Sequence, residues 1–90
     1  MEPITIDKAK YDELLEVTRW YDNQPKALNN VVSDSFHESI YEFKIGCVPD
    51  NVVAEEAGYV ASVELKDNEL YAVIGMYDDG KEHSVKIIPK

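Results

Sequence analysis

This 90-residue chain has one thiol, Cys47, and two histidines, His37 and His83. A cysteine thiolate beside a histidine, itself oriented by an Asp or Asn, can attack a carbonyl carbon. The local pattern argues against that use. Cys47 continues the alternation of Tyr41, Phe43 and Ile45, which makes it a small core residue. His83 stands at the rim of an apolar strand face beside Met76, while Ser84 points to the other face, so these two form no simple pair. Metal chemistry has no better support, because there is no paired-cysteine motif and no His-Glu-x-x-His helix. Asp78-Asp79-Gly80 resembles the start of a calcium loop but lacks the alternating ligands and the distal glutamate, and reads as turn chemistry. The glycines, at 46, 58, 75 and 80, stand apart, so no phosphate loop is present. The expectation is a non-enzymatic protein without catalytic residues, metal or cofactor.

The acids are the other grouped side chains. Eighteen Asp and Glu against nine Lys and Arg give a net charge of −9. They gather as Asp12, Glu13 and Glu16; Asp34, Glu38 and Glu42; Glu55 and Glu56; and Asp78, Asp79 and Glu82. Such clusters are usually solvated surface. Beside exposed aromatics they are also what a protein that occupies a basic groove would carry. Trp20 and Tyr77 are the aromatic anchors in that reading, since Trp and Tyr are enriched among interface hot spots. The charge excludes general binding to nucleic acid or anionic membrane, which needs clustered Lys and Arg. No apolar run approaches the ~20 residues that span a bilayer. The N-terminus has no basic region followed by an apolar stretch, and a single cysteine leaves no internal disulfide framework. Together these point to a cytoplasmic protein.

The elements that position these residues are legible in the hydrophobic spacing. Tyr59 to Lys66, Leu70 to Tyr77 and Glu82 to Ile88 alternate as strands, joined by turns at Asp67-Asn68 and Asp79-Gly80. Two-residue loops at both turns put Lys66 opposite Glu69, Leu65 opposite Leu70, Val63 opposite Ala72, Ala61 opposite Ile74 and Tyr59 opposite Met76. They also put Met76 opposite His83, Ile74 opposite Val85 and Ala72 opposite Ile87. One face then collects Tyr59, Ala61, Val63, Leu65, Ala72, Ile74 and their neighbours, and a one-residue slip would mix the faces. The other face carries Val60, Tyr71, Val73, Tyr77 and Ile88 among polar residues. That set is either scattered strand-forming residues or a surface for self-association as a homodimer.

Ahead of the ribbon, Ile4-Thr5-Ile6 reads as a short extended start and Asp7 as a helix N-cap, with Ile6 and Tyr11 spaced as a hydrophobic staple. A helix over 8–21 places Tyr11, Leu14, Leu15, Val17 and Tyr21 on one side and Asp12, Glu13 and Glu16 outside. Trp20 projects away from the stripe centre, toward the following loop. Pro25 stops this helix and opens a short second one, Lys26 to Val32, followed by a turn at Ser33-Asp34-Ser35. Alternation over 39–48 predicts a fourth strand, and Pro49 breaks it. One helical turn through Val53-Ala54-Glu55-Glu56 closes at Gly58. The predicted fold is α+β in one domain, 1–90: a four-stranded antiparallel sheet (39–48, 59–66, 70–77, 82–88) covered on one face by the helix 8–21.

The opening run Ile4-Thr5-Ile6-Asp7-Lys8-Ala9-Lys10-Tyr11-Asp12-Glu13-Leu14-Leu15 resembles the start of many short bacteriophage and prophage accessory proteins. In those, a short strand leads into a helix that begins with a YDELL-like run. The resemblance covers residues 4–15 and implies a mobile-element protein. Such proteins are small and acidic, and often block a host protein, as anti-CRISPR and other anti-defence proteins do. The resemblance implies a bacterial cytoplasm as the place of action and no role for any single residue. The function expected is a binding protein that blocks a basic surface of a nucleic-acid-handling protein; the alternative is a self-associating structural or interaction module.

Overall fold

The computed structural model describes residues 2–23 and 34–90. The chain runs β1 (Ile4–Ile6), α1 (Lys8–Asp22), α2 (Asp34–Gly46), a 3-10 turn (Asp50–Val52), β2 (Gly58–Lys66), β3 (Glu69–Met76) and β4 (Glu82–Pro89). Among the described residues the architecture is α+β, a four-stranded mixed sheet in the order β1-β4-β3-β2 with two helices. α2 lies against β2, while α1 lies against β2 and β4.

The sheet is mixed because β1 runs parallel to β4, with Ile4 opposite Ile87 and Ile6 opposite Pro89. An apolar–polar–apolar triplet can pair in either direction. Here both isoleucines are buried in the core, and Asp7 alone separates β1 from α1. Asp7 holds the N-cap position in extended geometry, although its carboxylate accepts no capping bond. α1 otherwise follows its apolar stripe. Leu14 is wholly buried, and Tyr11 and Leu15 pack against the core. Burying a leucine this fully contributes about 1.5–3 kcal/mol. The fully buried Thr18 belongs to the same stripe and was not expected there.

The predicted strand over 39–48 is instead most of α2. Tyr41, Phe43, Ile45 and Cys47 alternate, but Phe36, Ile40, Phe43 and Cys47 also recur at steps of four, three and four, which is one face of a helix. Packing decides between the two periods. Phe43 packs on the core and Cys47 is buried, while Tyr41 stays largely exposed and donates its hydroxyl to the carbonyl of Ala61 at 3.0 Å. The proposed helix Lys26–Val32 lies outside the described residues, and the expected turn after it gives way to α2 at Asp34. The turn expected before β2 starts one residue late, since Val53 is extended; the Ala54 carbonyl accepts the Ala57 and Gly58 N–H groups at 2.9 and 3.0 Å.

β2, β3 and β4 form the antiparallel ribbon, with two changes of register. The Asp67-Asn68 turn has both residues at positive φ, 53° and 63°, and it aligns Lys66 with Glu69, Leu65 with Leu70 and Val63 with Ala72. Beyond Ser62 a bulge at Ala61 resets the pairing to Val60 with Ile74 and Tyr59 with Gly75. Val60 therefore turns inward and Tyr59 outward, which reverses the expected placement of both. The β3–β4 loop is longer than the two residues predicted. Met76 N–H bonds the Lys81 carbonyl and Gly80 N–H the Met76 carbonyl, so Tyr77 to Gly80 form the loop. Ala72 then faces Val85 and Ile74 faces His83. That is a slip of two residues, which leaves each side chain on its expected face.

The core is the inner sheet face with the helices upon it. Leu14, Val63, Leu70, Ala72 and Ile74 are wholly buried and Ile87 nearly so. Gly58 is required by close approach, since a Cβ there would collide with the Gly75 carbonyl oxygen.

Candidate functional site

The predicted acidic turn is tied together by Asp79. Asp79 Oδ1 accepts the Lys81 N–H at 2.8 Å, and Asp79 Oδ2 lies 2.7 Å from His83 Nε2. The Lys81 N–H first, and His83 second, hold the Asp79 carboxyl below its usual range. Asp78 and Glu82 are exposed and make no hydrogen bond or ion pair among the described residues. Tyr77, at the start of the loop, is 60% exposed. Its ring lies 5.7 Å from that of Tyr59, itself 48% exposed. Tyr59 in turn lies over Gly75, where an added Cβ would meet its ring at 2.5–2.8 Å. The bulge at Ala61 is what brings Tyr59 to this side of the sheet.

Below the two tyrosines is a groove of about 310 Å³, between the end of α2, the 3-10 turn and the start of β2. Its floor is Ile45, Val48, Val53 and Val60. Asp50 and Glu55 stand at its rim, both exposed. Hence Tyr77 belongs to a larger surface than the hairpin alone. Tyr59, Asp50 and Glu55 were missed as parts of it, because without the bulge Tyr59 pairs with Met76 on the core face.

The second predicted group, on α1, is less free. Asp12 is bound by Lys8, whose Nζ lies 3.1 Å from both carboxylate oxygens. Glu13 and Glu16 are exposed. Trp20 is half exposed and meets Phe36 on α2 edge-on, with ring centroids 5.7 Å apart; the loop on which it was expected to pack lies outside the described residues. Glu16, Val17, Trp20, Phe36 and Ile40 line a separate apolar cleft between the helices. No hydrogen bond or ion pair joins the α1 acids to the Tyr77–Glu82 turn among the described residues. α1 also begins at the far end of β4 from that turn, because Ile6 pairs with Pro89. The predicted residues thus form two surfaces.

The chemistry-bearing residues are not assembled into a catalytic constellation among the described residues. Burial pushes the Cys47 thiol up, away from the nucleophilic thiolate. His37 Nδ1 lies 2.8 Å from the Tyr21 hydroxyl, and His83 is held by Asp79. No hydrogen bond joins Cys47 to either histidine. No group of three or more His, Cys, Asp or Glu is placed to hold a metal ion among the described residues. No helix among them is long and apolar enough to cross a membrane.

The outer sheet face is tied up by its own polar groups. Tyr71 donates to Glu69 Oε2 at 3.2 Å, and Lys86 Nζ lies 3.2 Å from Glu69 Oε1. Lys66 stands opposite Glu69 as expected, yet Lys86 makes the ion pair. Lys86 first, then Tyr71, hold the Glu69 carboxyl below its usual range. Val73 is already 7% exposed, and Val60 is absent from this face. The β2 edge is bent at Ala61, where Tyr41 occupies the free carbonyl.

Comparison of the chain with protein families, with curated proteins and with solved structures gave no match.

Proposed function

We propose that the chain is a non-enzymatic binding protein that docks on a basic surface of a nucleic-acid-handling protein and blocks it, as a mobile-element inhibitor acting in a bacterial cytoplasm. The observation that carries this reading is the turn at Tyr77–Glu82. An exposed ring stands beside three carboxylates, one of them fixed by a backbone N–H and a histidine. Preorganised charge speeds encounter with a cationic partner, and a desolvated aromatic slows release. The net charge of −9 adds long-range attraction to such a partner and repels nucleic acid itself. Glu13, Glu16 and Trp20 on α1 supply a second contact region, with Asp12 contributing less because Lys8 neutralises it.

The self-associating reading has weaker support. Its apolar face loses Val60 to the core, and Tyr71 and Lys86 are occupied by Glu69. The Ala61 bulge and the Tyr41 hydroxyl also discourage strand pairing at the β2 edge. The test is charge reversal at Asp78→Lys with Asp79→Lys, followed by titration against the captured partner. Affinity should fall at least about tenfold, with a flatter salt dependence. Unchanged affinity would remove this surface from the proposal.

A further inference from the structure

We propose that the groove beneath Tyr59 and Tyr77 is an arginine-reading subsite, which receives the guanidinium side chain of an exposed basic segment on the partner. This rests on the reading of the chain as a binder of basic protein surfaces, and names what it recognises.

Four features of the groove converge on that ligand. The floor of Ile45, Val48, Val53 and Val60 is apolar, which suits the methylene stem of a long cationic side chain. Tyr59 and Tyr77 line it as a contacting pair, with ring centroids 5.7 Å apart and planes tilted by 33°, so a cation would meet the exposed part of the pair and not lie between the rings. At the rim, the Asp50 and Glu55 carboxylates have no ion pair or side-chain hydrogen bond among the described residues, and no Lys or Arg lines the groove. Ile45, finally, belongs to the last turn of α2, where the helix dipole is negative.

Arginine fits better than lysine because its planar guanidinium can stack on a ring and still donate to carboxylates. A phosphate or a nucleotide would meet only negative charge there. A purely apolar residue would leave both carboxylates beside a desolvated side chain without compensation. What matters is an apolar floor, an aromatic pair and unpaired anions around one opening.

The test is an NMR titration of the whole chain with the blocked tripeptide Gly-Arg-Gly, and with its citrulline and lysine counterparts, at about 0.15 M salt to screen distant charge. The arginine peptide should give saturable shifts at the amides of Val53, Glu55, Gly58, Tyr59 and Tyr77. Citrulline, which keeps the shape and loses the charge, should bind at least about tenfold more weakly, and lysine should fall between. Asp50→Asn with Glu55→Gln, and separately Tyr59→Ala, should each weaken the arginine peptide about fivefold or more. These residues are at the surface, and an unchanged amide spectrum elsewhere verifies the fold. Equal binding of arginine and citrulline, or shifts centred on Asp78-Asp79 or α1, would overturn the proposal. Asp78→Lys with Asp79→Lys should change the peptide affinity less than about threefold, since neither residue lines the groove. Failure of the groove is thereby separable from failure of the turn as a docking surface.

Discussion

Deleting Ala61 tests the origin of the Tyr59 surface. The bulge places one extra residue between the pairs Val60–Ile74 and Ser62–Val73. Removing that residue joins the two registers into one regular ladder without changing any partner. Val60 should stay inward and Tyr59 outward. The cost is worked from what Ala61 does. Its carbonyl accepts the Tyr41 hydroxyl at 3.0 Å, a bond worth about 0.5–1.5 kcal/mol net. Its methyl is partly buried and adds at most about 0.8 kcal/mol. The deletion should therefore cost about 1–2 kcal/mol, against roughly 5–15 kcal/mol for a small domain. With a urea slope of about 1–1.5 kcal/mol/M, the midpoint should drop by about 1 M. Deleting Val63 is the contrast. It removes a wholly buried side chain and, once Ala61 is drawn into the ladder, puts Ser62 on the core face in its place, so it should cost clearly more, about 2–5 kcal/mol. Tyr41→Phe should cost up to about 1.5 kcal/mol alone and add little once Ala61 is gone. Urea melts with amide spectra are the assay. If the Ala61 deletion unfolds the chain or moves Tyr59 from over Gly75, the bulge does more than set register and the reasoning fails.

Other outcomes follow from the same geometry. Leu14→Ala should destabilise by about 2–5 kcal/mol, read from urea melts, because Leu14 is wholly buried between α1 and the sheet; a loss below about 1 kcal/mol would mean that α1 is not seated as described. Asp79 has a folded pKa below its unfolded value, so its contribution is present above about pH 4 and is lost as pH falls through that value toward the folded one. Asp79→Asn should therefore narrow the difference in stability between about pH 6 and about pH 2.5, and an unchanged difference would deny the Lys81 and His83 contacts their role. Gly75→Ala should push the Tyr59 ring off β3, visible as loss of ring-current shifts on the Gly75 strand, while the fold persists.

The ribbon was readable because its two turns and its alternation agree. Asp67-Asn68 needs positive φ at both positions and has it. At Asp79-Gly80 only Gly80 adopts positive φ, so the loop lengthens to four residues, and faces survive since the slip is even. α2 was misread because Tyr41, Phe43, Ile45 and Cys47 satisfy a period of two, while Phe36, Ile40, Phe43 and Cys47 satisfy a helix. The bulge had no signal in Tyr59-Val60-Ala61-Ser62 itself. It is set by Val60 packing on the core and by Tyr59 lying over Gly75, which are tertiary facts. The acidic turn was visible as a cluster. Its aromatic companion was not, because Tyr59 reaches Tyr77 only through that bulge.

Docking on a basic surface is decided by capturing partners on the immobilised chain from host-cell lysate, washed at low and then high salt, beside the Asp78→Lys, Asp79→Lys variant. The account predicts a nucleic-acid-binding protein, free of nucleic acid, that the wild-type chain holds at low salt and releases at high salt, and that the variant fails to hold. Recovery of only the chain itself, retained through high salt, or of a partner held equally by both proteins, would contradict it.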